Sequence, residues 1–448
     1  MSGRILIISH AYAPMVSPRA FRWSSLAQEM ASRGYVVDVI CAATSTKPVT
    51  ETLDGVNLHR VPAGSLVGKL RSRFGNNYAA ETAPSARTAG QSKGPVAKRA
   101  LKALYSIFVR PFVWPDFASS WIRPAIKQAK TLISQHNYDM VMTVSLPFSS
   151  HVVGLYLKAE HPDLPWLADV GDPFCFMDKT PVNNLFLYRK RNHAWDGDVA
   201  EFADIISVTT APTRDIYARL FPKFAHKYVV IPPLVSLPKR EKAPASPFTQ
   251  LHDKPLRLVF VGSLYKKIRN PAFLLKLFNA LARKPGNEGL ELHIVGTLHD
   301  TAELFTPYTL YKDKQLFLHG LRPRDEAAAM LEHADVLVNI GNDTAYQLPS
   351  KVVEYAASGK PILNLIKTRN DSAMAFFKDY PAVLNVLETG NFENITTQVN
   401  DFLTHLPKKV PAAQTKALLE PYQLDAVTNA YLVHVPVVQP ETKPKKQA

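Results

Sequence analysis

Leu348-Pro-Ser-Lys-Val-Val-Glu-Tyr-Ala-Ala-Ser-Gly-Lys-Pro-Ile362 is the stretch on which the reading of this chain turns. It follows an apolar run at 335–340 and a polar loop, so a buried strand feeds a loop that opens a helix. Ser350 has the chemistry of an N-cap, and Pro349 suits a helix start. Lys351 and Glu354 are three apart and share one face of the first turn. A helix start carrying a lysine favours a diphosphate, and a carboxylate on the same face can accept hydrogen bonds from ribose hydroxyls. The same spacing also suits a surface ion pair on a helix that merely ends at Ser358-Gly359-Lys360-Pro361.

Outward from this segment, short β-like runs alternate with amphipathic helical stretches at about 30 residues per unit, the signature of a parallel sheet covered by helices. In the first half, strands are expected at 4–9, 35–41, 140–144, 166–169, 205–208 and 228–231. Helices are expected at 21–32, 120–135, 150–160 and 182–202. Pro232, Pro233 and Pro238, followed by the Lys-rich run 239–254, form the domain connector. A second series then restarts, with strands at 256–261, 290–295, 316–319, 336–340, 362–365 and 382–386, a helix at 271–283 and a last helix at 412–432. Gly262, Gly296 and Gly320 terminate three strands on one expected sheet edge. In open parallel sheets ligands sit beyond the carboxyl ends of strands, where glycine lets backbone approach phosphate, although glycine there is also ordinary turn chemistry.

Bulk composition fits this organisation. A chain of 448 residues exceeds one ordinary core, and 46% hydrophobic with 20% charged residues is a globular balance. The formal charge of +15 suits anionic partners such as nucleotide diphosphates, acidic lipid headgroups or nucleic acid. Cys41 and Cys175 are the two cysteines, which excludes a disulfide framework and a cysteine metal site and suits a reducing cytoplasm. The N-terminus enters an apolar strand without a signal-peptide pattern, and no run of about 18 uncharged apolar residues is present. The stretch 66–102 is basic and reads as an insertion. The amphipathic stretch 97–110 that follows suits either an anionic membrane surface or packing on the fold. No recognised nucleic-acid motif accompanies the basic run, which argues against nucleic acid.

Other segments carry cations or carboxylates at expected strand ends. Val261-Gly-Ser-Leu-Tyr-Lys-Lys-Ile-Arg-Asn-Pro271 places Lys267 and Arg269 just beyond a strand, both suited to a diphosphate. His293-Ile-Val-Gly-Thr297 and Phe317-Leu-His-Gly-Leu-Arg322 end at Gly296 and Gly320. In the first half, Ser9-His-Ala-Tyr-Ala-Pro-Met-Val-Ser-Pro-Arg-Ala-Phe-Arg22 follows the first strand and carries His10, Arg19 and Arg22. Asp139-Met-Val-Met-Thr-Val-Ser-Leu-Pro-Phe-Ser-Ser-His151 ends at His151. Trp166-Leu-Ala-Asp-Val-Gly-Asp-Pro-Phe174 holds Asp169 and Asp172 at i,i+3, able to accept a proton from a hydroxyl or position it. Two carboxylates do not complete a metal site, and a loop role is the other reading of them.

Taken together, the P-S-K-x-x-E-Y-x-x-x-G-K-P run and these strand ends resemble the retaining GT-B glycosyltransferases, in particular the group-one (family four) branch that builds bacterial surface polysaccharides. The resemblance spans Ile5 to about Val386. It implies α/β GT-B architecture, two Rossmann-like parallel-sheet domains facing across a cleft. Residues 1–236 would form the acceptor-side domain, 237–410 the nucleotide-sugar domain, and 411–448 a helix crossing back plus a basic tail. Glu354 would hold the donor ribose, and Ser350, Gly262, Gly296, Gly320 and Leu321 would line the nucleotide. Lys267 or Arg269, with Lys351, would neutralise the leaving diphosphate. Asp172, Asp169, Arg19, His10 and His151 would lie on the acceptor side. The implied reaction moves a sugar with retention from a nucleoside-diphosphate donor to a glycan or polyisoprenoid-diphosphate-linked acceptor, without a metal or other cofactor, in the cytoplasm or at the inner face of a membrane. No nucleic-acid partner is implied.

The chain departs from the family's pattern in three places. Val16 and Ser17 replace paired glycines, Gly171 replaces the arginine of D-x-R-D-P-W, and Tyr346 stands where the first glutamate of E-x7-E would be. A phenol stays protonated near neutral pH and cannot serve as a carboxylate, so Asp343 is the alternative. These changes also suit a non-catalytic nucleotide-sugar-binding scaffold.

Overall fold

The computed structural model describes residues 3–15, 17–43, 47–63, 112–235, 245–342 and 344–436. The insertion 66–102, the stretch 97–110, Val16, Asp343, Pro238 and the tail 441–448 lie outside the described residues. The chain divides into two compact units, Met1–Pro232 with Leu424–Ala448, and Pro233–Gln423.

Unit 1 runs β1 (Arg4–Ile8), α1 (Pro18–Ser32), β2 (Val36–Ala42), β3 (Val49–Leu53), β4 (Val56–Val61), α2 (Ile122–Gln135), β5 (Met140–Ser145), α3 (Ser149–Glu160), β6 (Trp166–Val170), α4 (Leu185–Phe202), β7 (Ile205–Val208), α5 (Ala211–Leu220) and β8 (Tyr228–Val230). Its sheet has the order β3-β4-β2-β1-β5-β6-β7-β8. All pairs are parallel except β3–β4. The β3–β4 hairpin is an addition to the expected strands. Its turn is Asp54-Gly55, with φ of 50° and 80°, the left-handed pair that a two-residue hairpin needs. α1 begins three residues earlier than expected, because the Ser17 hydroxyl accepts from Ala20 N at 3.1 Å and Pro18 opens the helix.

Unit 2 runs β9 (Leu256–Val261), α6 (Ala272–Ala282), β10 (Leu290–Val295), a 3-10 segment His299–Tyr311, β11 (Leu316–Gly320), α7 (Arg324–Glu332), β12 (Val336–Ile340), α8 (Ser350–Ser358), β13 (Ile362–Ile366), α9 (Ser372–Phe376), β14 (Val383–Leu387), α10 (Phe392–Thr404) and α11 (Ala412–Leu419). The all-parallel sheet has the order β11-β10-β9-β12-β13-β14, so strand order reverses between β9 and β12. Alternating residues divide the packing between two faces. Leu258, Phe260, Leu292 and Ile294 pack in one buried cluster, and Val259, Val261 and Val295 in another with Val352 and Tyr355 of α8. Three asparagines, Asn339 and Asn364 buried and Asn385 half-buried, sit side by side across β12, β13 and β14, Asn339 donating to Asn364 and Asn364 to Asn385, each at 2.7 Å. Each amide gives its neighbour the partner that burial would otherwise deny it.

The expected single helix 412–432 is two helices. Proline has no N–H to donate, and Pro421 falls in a 3-10 turn, Glu420–Tyr422, that separates α11 from α12 (Leu424–Leu432). α11 packs on α8 in unit 2, whereas α12 packs on α1 in unit 1. Tyr431 of α12 is fully buried against Trp23 of α1, with ring centroids 5.1 Å apart. Its hydroxyl donates to Asp169 at 2.7 Å and accepts from Arg22 at 2.9 Å.

Candidate functional site

In unit 2 the reversal of strand order leaves a crevice beyond the carboxyl ends of β9 and β12, the place where open α/β sheets take ligands. Gly262 follows β9 with φ of 157°, and Gly296 follows β10 with φ of 138°. A Cβ on Gly296 would stand 2.0 Å from the Gly262 carbonyl oxygen, so glycine is imposed by backbone crowding. Gly296 N donates to the Gly320 carbonyl at 2.8 Å, which draws the third glycine into the same row. Leu321 follows, 39% exposed.

The loop after β9 separates its two cations. Tyr265 and Arg269 exchange both backbone hydrogen bonds, at 3.2 and 3.1 Å, closing a tight bridge. That bridge turns Lys267 out to solvent and brings the Arg269 guanidinium back toward Gly262, 3.7 Å from where its Cβ would be. Arg269 Nε donates to Asn342 Oδ1, just past β12, at 2.8 Å. Among the described residues no carboxylate pairs with Arg269. Burial lowers its pKa from the ordinary value, against the pull of Tyr265 and Tyr355. A desolvated cation held by a neutral amide is electrostatically unfinished, which is what an anion site requires.

α8 is fixed over the same strand end. Tyr355 is 1% exposed and its hydroxyl accepts from Val261 N at 2.9 Å. Burial raises the phenol's pKa, so it stays protonated. Pro349, not Ser350, is the N-cap residue: its extended ψ of 132° precedes the first helical position, which Ser350 occupies. Lys351 Nζ and Glu354 Oε2 pair at 2.5 Å, with side chains 33% and 22% exposed. Of the two readings of this spacing the geometry shows the ion pair, on a first turn that still faces solvent. Gly359 closes the helix in the left-handed region, with φ of 71°. His293 lies lower in the sheet, where it bonds Glu291 and His319 at 3.0 Å each, and burial pushes it down to about 3.

Unit 1 also reverses strand order, between β1 and β5. Here several expected residues take up structural tasks. Asp169 is 1% exposed and accepts from Trp23 Nε1 at 3.0 Å, Ser207 Oγ at 2.8 Å and Tyr431 OH at 2.7 Å. These bonds join α1, β7 and α12 to β6, so the carboxylate is engaged inside the unit and its burial keeps a hydroxyl substrate away. His151 is fully buried on α3, its Nδ1 2.7 Å from Thr143 Oγ1, and burial pushes it down to about 3. Arg22 donates to the Pro232 carbonyl at 2.7 Å and to Tyr431, which makes it a clasp for the chain ends of the unit.

Arg19 and Asp172 do meet. Arg19 Nη2 lies 3.2 Å from Asp172 Oδ2, and Nη1 lies 3.9 Å from Asp169 Oδ2. The bare Gly171 makes this possible, since a Cβ there would fall 1.4 Å from Arg19 Nη1. The guanidinium therefore occupies the space that a side chain at 171 would claim. His10 stands edge-on to Phe117 and Trp121, at 5.3 and 5.2 Å, and burial pushes it down to about 4. Buried polar atoms gather at these strand and helix ends without partners among the described residues: His10 Nδ1, Trp121 Nε1, Ser145 Oγ, Ser150 Oγ and His151 Nε2. Such atoms cost free energy until water or a ligand meets them. Composition alone gives no sign of Trp121 or Ser145. Among the described residues no group of three or more His, Cys, Asp or Glu is arranged to hold a metal ion.

Residues 255–366 match the family described as Glycosyl transferases group 1. No curated protein sequence matches the chain. Among solved structures, it is similar to sucrose-phosphate synthase from Thermosynechococcus elongatus at 15% identity, covering 96% of this chain and 98% of that one, with a TM-score of 0.65. It is similar to the HepE protein of Anabaena in complex with UDP at 13% identity, covering 96% and 98%, with a TM-score of 0.57. An E. coli trehalose-6-phosphate protein bound with UDP-2-fluoro glucose matches at 10% identity over 97% and 99%, with a TM-score of 0.65. The fold is GT-B, with two Rossmann-like α/β units.

Proposed function

We propose that the chain is a glycosyltransferase, with unit 2 holding a nucleoside-diphosphate sugar and unit 1 holding the acceptor hydroxyl. The observation that carries this reading is Arg269, a buried-side cation without a carboxylate partner among the described residues, beside Gly262 at the crevice between β9 and β12. The group-one match covers this crevice and α8, and the similar Anabaena and E. coli structures hold UDP and a UDP-sugar. Arg269 is the better placed of the two loop cations, because Lys267 is exposed.

Glu354 would accept from the ribose hydroxyls, exchanging part of its pairing with Lys351 for the donor. Lys351 would then turn to the diphosphate, and Gly262, Gly296 and the backbone at Gly320 and Leu321 would admit nucleotide. When the sugar–oxygen bond breaks, its electron pair passes to the diphosphate, and Arg269, Lys351 and the start of α8 offset that charge. The acceptor hydroxyl attacks from the same face and gives its proton to the departing phosphate oxygen, so configuration is retained. This route asks for neither a metal nor a protein base. The acceptor would be a glycan or polyisoprenoid-diphosphate-linked sugar of surface polysaccharide synthesis, met in the cytoplasm at the inner face of a membrane.

Release of nucleoside diphosphate from a panel of donors, with lipid-linked acceptors present, tests the reading. Glu354→Ala should weaken donor binding about 10- to 100-fold, the value of one charged hydrogen bond. Arg269→Ala should lower turnover about 10²- to 10³-fold. Intact donor binding and turnover in Glu354→Ala would remove the ribose assignment. A nucleotide-sugar-binding scaffold is the second reading, favoured by the commitment of Asp169 and the pairing of Asp172 in unit 1. Donor binding without turnover in the wild type would establish it.

A further inference from the structure

The first half of α4 presents an unusual surface. Phe186, on its first turn, is 94% exposed, and Leu187 beside it is 45% exposed. Phe112 is 66% exposed and is tied to the same turn, its carbonyl accepting from Tyr188 OH at 3.1 Å. Arg191 lies over the Trp114 ring at 3.8 Å, and Trp114 Nε1 donates to Asn192 at 3.0 Å, so residues 112–114 are laid along the helix. The buried side of α4 is formed by Asn192, Asp196, Val199 and Ala200, which leaves Phe186, Leu187, Lys190 and Arg191 on the outward side. Phe186 and Lys190, and Leu187 and Arg191, are i,i+4 neighbours, so each apolar side chain has a cation one turn behind it.

Charge on this surface is one-sided. From Lys179 to Trp195 the sequence holds Lys179, Arg189, Lys190 and Arg191 and no Asp or Glu. Arg189 shares Asp178 at 2.9 Å, in a pair exposed on both sides and therefore weak. Among the described residues no helix is long and apolar enough to cross a membrane. Large exposed apolar side chains ringed by cations are the chemistry of an interfacial contact, with rings entering the headgroup boundary and cations meeting anionic lipid.

We infer that the outward face of α4's first half, with Phe112, is a docking surface for an anionic lipid bilayer. The inference deepens the membrane setting of the proposed function and rests on that part of it. Its experiment uses no donor sugar, so its outcome and that of the glycosyltransferase assay are read separately.

The full chain is sedimented with vesicles of phosphatidylcholine alone and with added phosphatidylglycerol, at low and high salt. Wild type should bind the anionic vesicles, weaken with salt and leave the neutral ones largely free. Arg189→Ala/Lys190→Ala/Arg191→Ala should reduce partitioning about a hundredfold, and Phe186→Ser/Leu187→Ser should reduce it at both salts. Thermal unfolding and a Leu187→Cys variant carrying an environment-sensitive dye keep the test independent of misfolded variants. The native Cys41 and Cys175 are buried, and the dye signal should shift to the blue with anionic vesicles. Failure of wild type to bind, unchanged binding by folded variants, or no dye shift would overturn the assignment. Self-association abolished by the same substitutions, without vesicle binding, would assign the surface to a second copy of the chain instead.

Discussion

Replacing Gly171 by alanine isolates the role of Arg19. The new methyl would stand 1.4 Å from Nη1, 2.1 Å from Cζ and 2.2 Å from Nη2. Carbon and nitrogen at rest need about 3.5 Å, so methyl and guanidinium exclude one another. The guanidinium is the far end of a flexible side chain and is the group that moves. Its departure breaks the pair with Asp172 at 3.2 Å, whose side chain is 38% exposed, and the longer approach to Asp169 at 3.9 Å. An ion pair with one partner open to solvent is worth on the order of 1 kcal/mol, and Asp169 keeps its bonds to Trp23, Ser207 and Tyr431. Unfolding free energy of unit 1 should therefore fall by about 1 kcal/mol, within the reach of urea titration. Turnover should fall by more, because a cation fixed at this strand end is displaced. The assay is a double-mutant cycle of Gly171→Ala, Arg19→Ala and the pair, read by urea midpoint and by nucleoside-diphosphate release. The double variant should be no less stable and no slower than Arg19→Ala alone, since the three atoms nearest the methyl all belong to the Arg19 guanidinium. Losses that add, or wild-type turnover in Gly171→Ala, would refute the reasoning.

Tyr431→Phe keeps the ring on Trp23 but leaves Asp169 and Arg22 short of a partner, and should destabilise unit 1 by about 1–3 kcal/mol in urea unfolding. Asp371 caps α9 by accepting from Ala373 N at 2.8 Å, yet burial raises it from 3.8 to about 6. A raised carboxyl favours the fold while protonated, so its contribution is full below about pH 4 and is lost as pH rises through 6. Asp371→Asn retains a capping oxygen without the charge. Wild-type stability relative to this variant should drop by on the order of 3 kcal/mol between pH 4 and 7, and parallel urea midpoints across that range would contradict the burial argument. Chelation with EDTA should leave donor turnover unchanged, whereas loss restored by a divalent cation would replace the side-chain charge neutralisation proposed for Arg269 and Lys351.

Much of the fold was legible because its strands are buried on both faces and read as continuous apolar runs closed by glycine. Leu256–Val261 and Leu290–Val295 were expected at the bounds found. The hairpin β3–β4 escaped because both strands mix polar and apolar residues, although Asp54-Gly55 carried its signal. The break at Pro421 was written in the sequence too, but an amphipathic pattern on both sides concealed it. The site was legible as residue types at strand ends and not as partners. Lys267 and Arg269 differ in exposure through a backbone bridge between Tyr265 and Arg269, which no spacing rule reveals. Asp169 and Asp172 looked alike at i,i+3, yet one faces into the core and the other out, because an odd spacing along extended chain, from the strand into the turn after it, puts two side chains on opposite faces.

This separation of the two carboxylates bears on chemistry. A general base needs a lone pair free to take a proton and a path for the substrate to reach it. Asp169 lacks the path, since it is 1% exposed and accepts from Trp23, Ser207 and Tyr431 within a buried hub. Asp172 is accessible but stands against the guanidinium of Arg19 at 3.2 Å, which competes with a hydroxyl for its oxygens. In unit 2 the situation is reversed: Arg269 is a desolvated cation bonded to a neutral amide, a poor resting state that an incoming anion would improve. Carboxylate oxygens are thus engaged by neighbours in unit 1, and among the described residues Arg269 meets no carboxylate in unit 2. That asymmetry favours a reaction driven by leaving-group stabilisation, with the departing phosphate itself as proton acceptor, over one driven by a protein base.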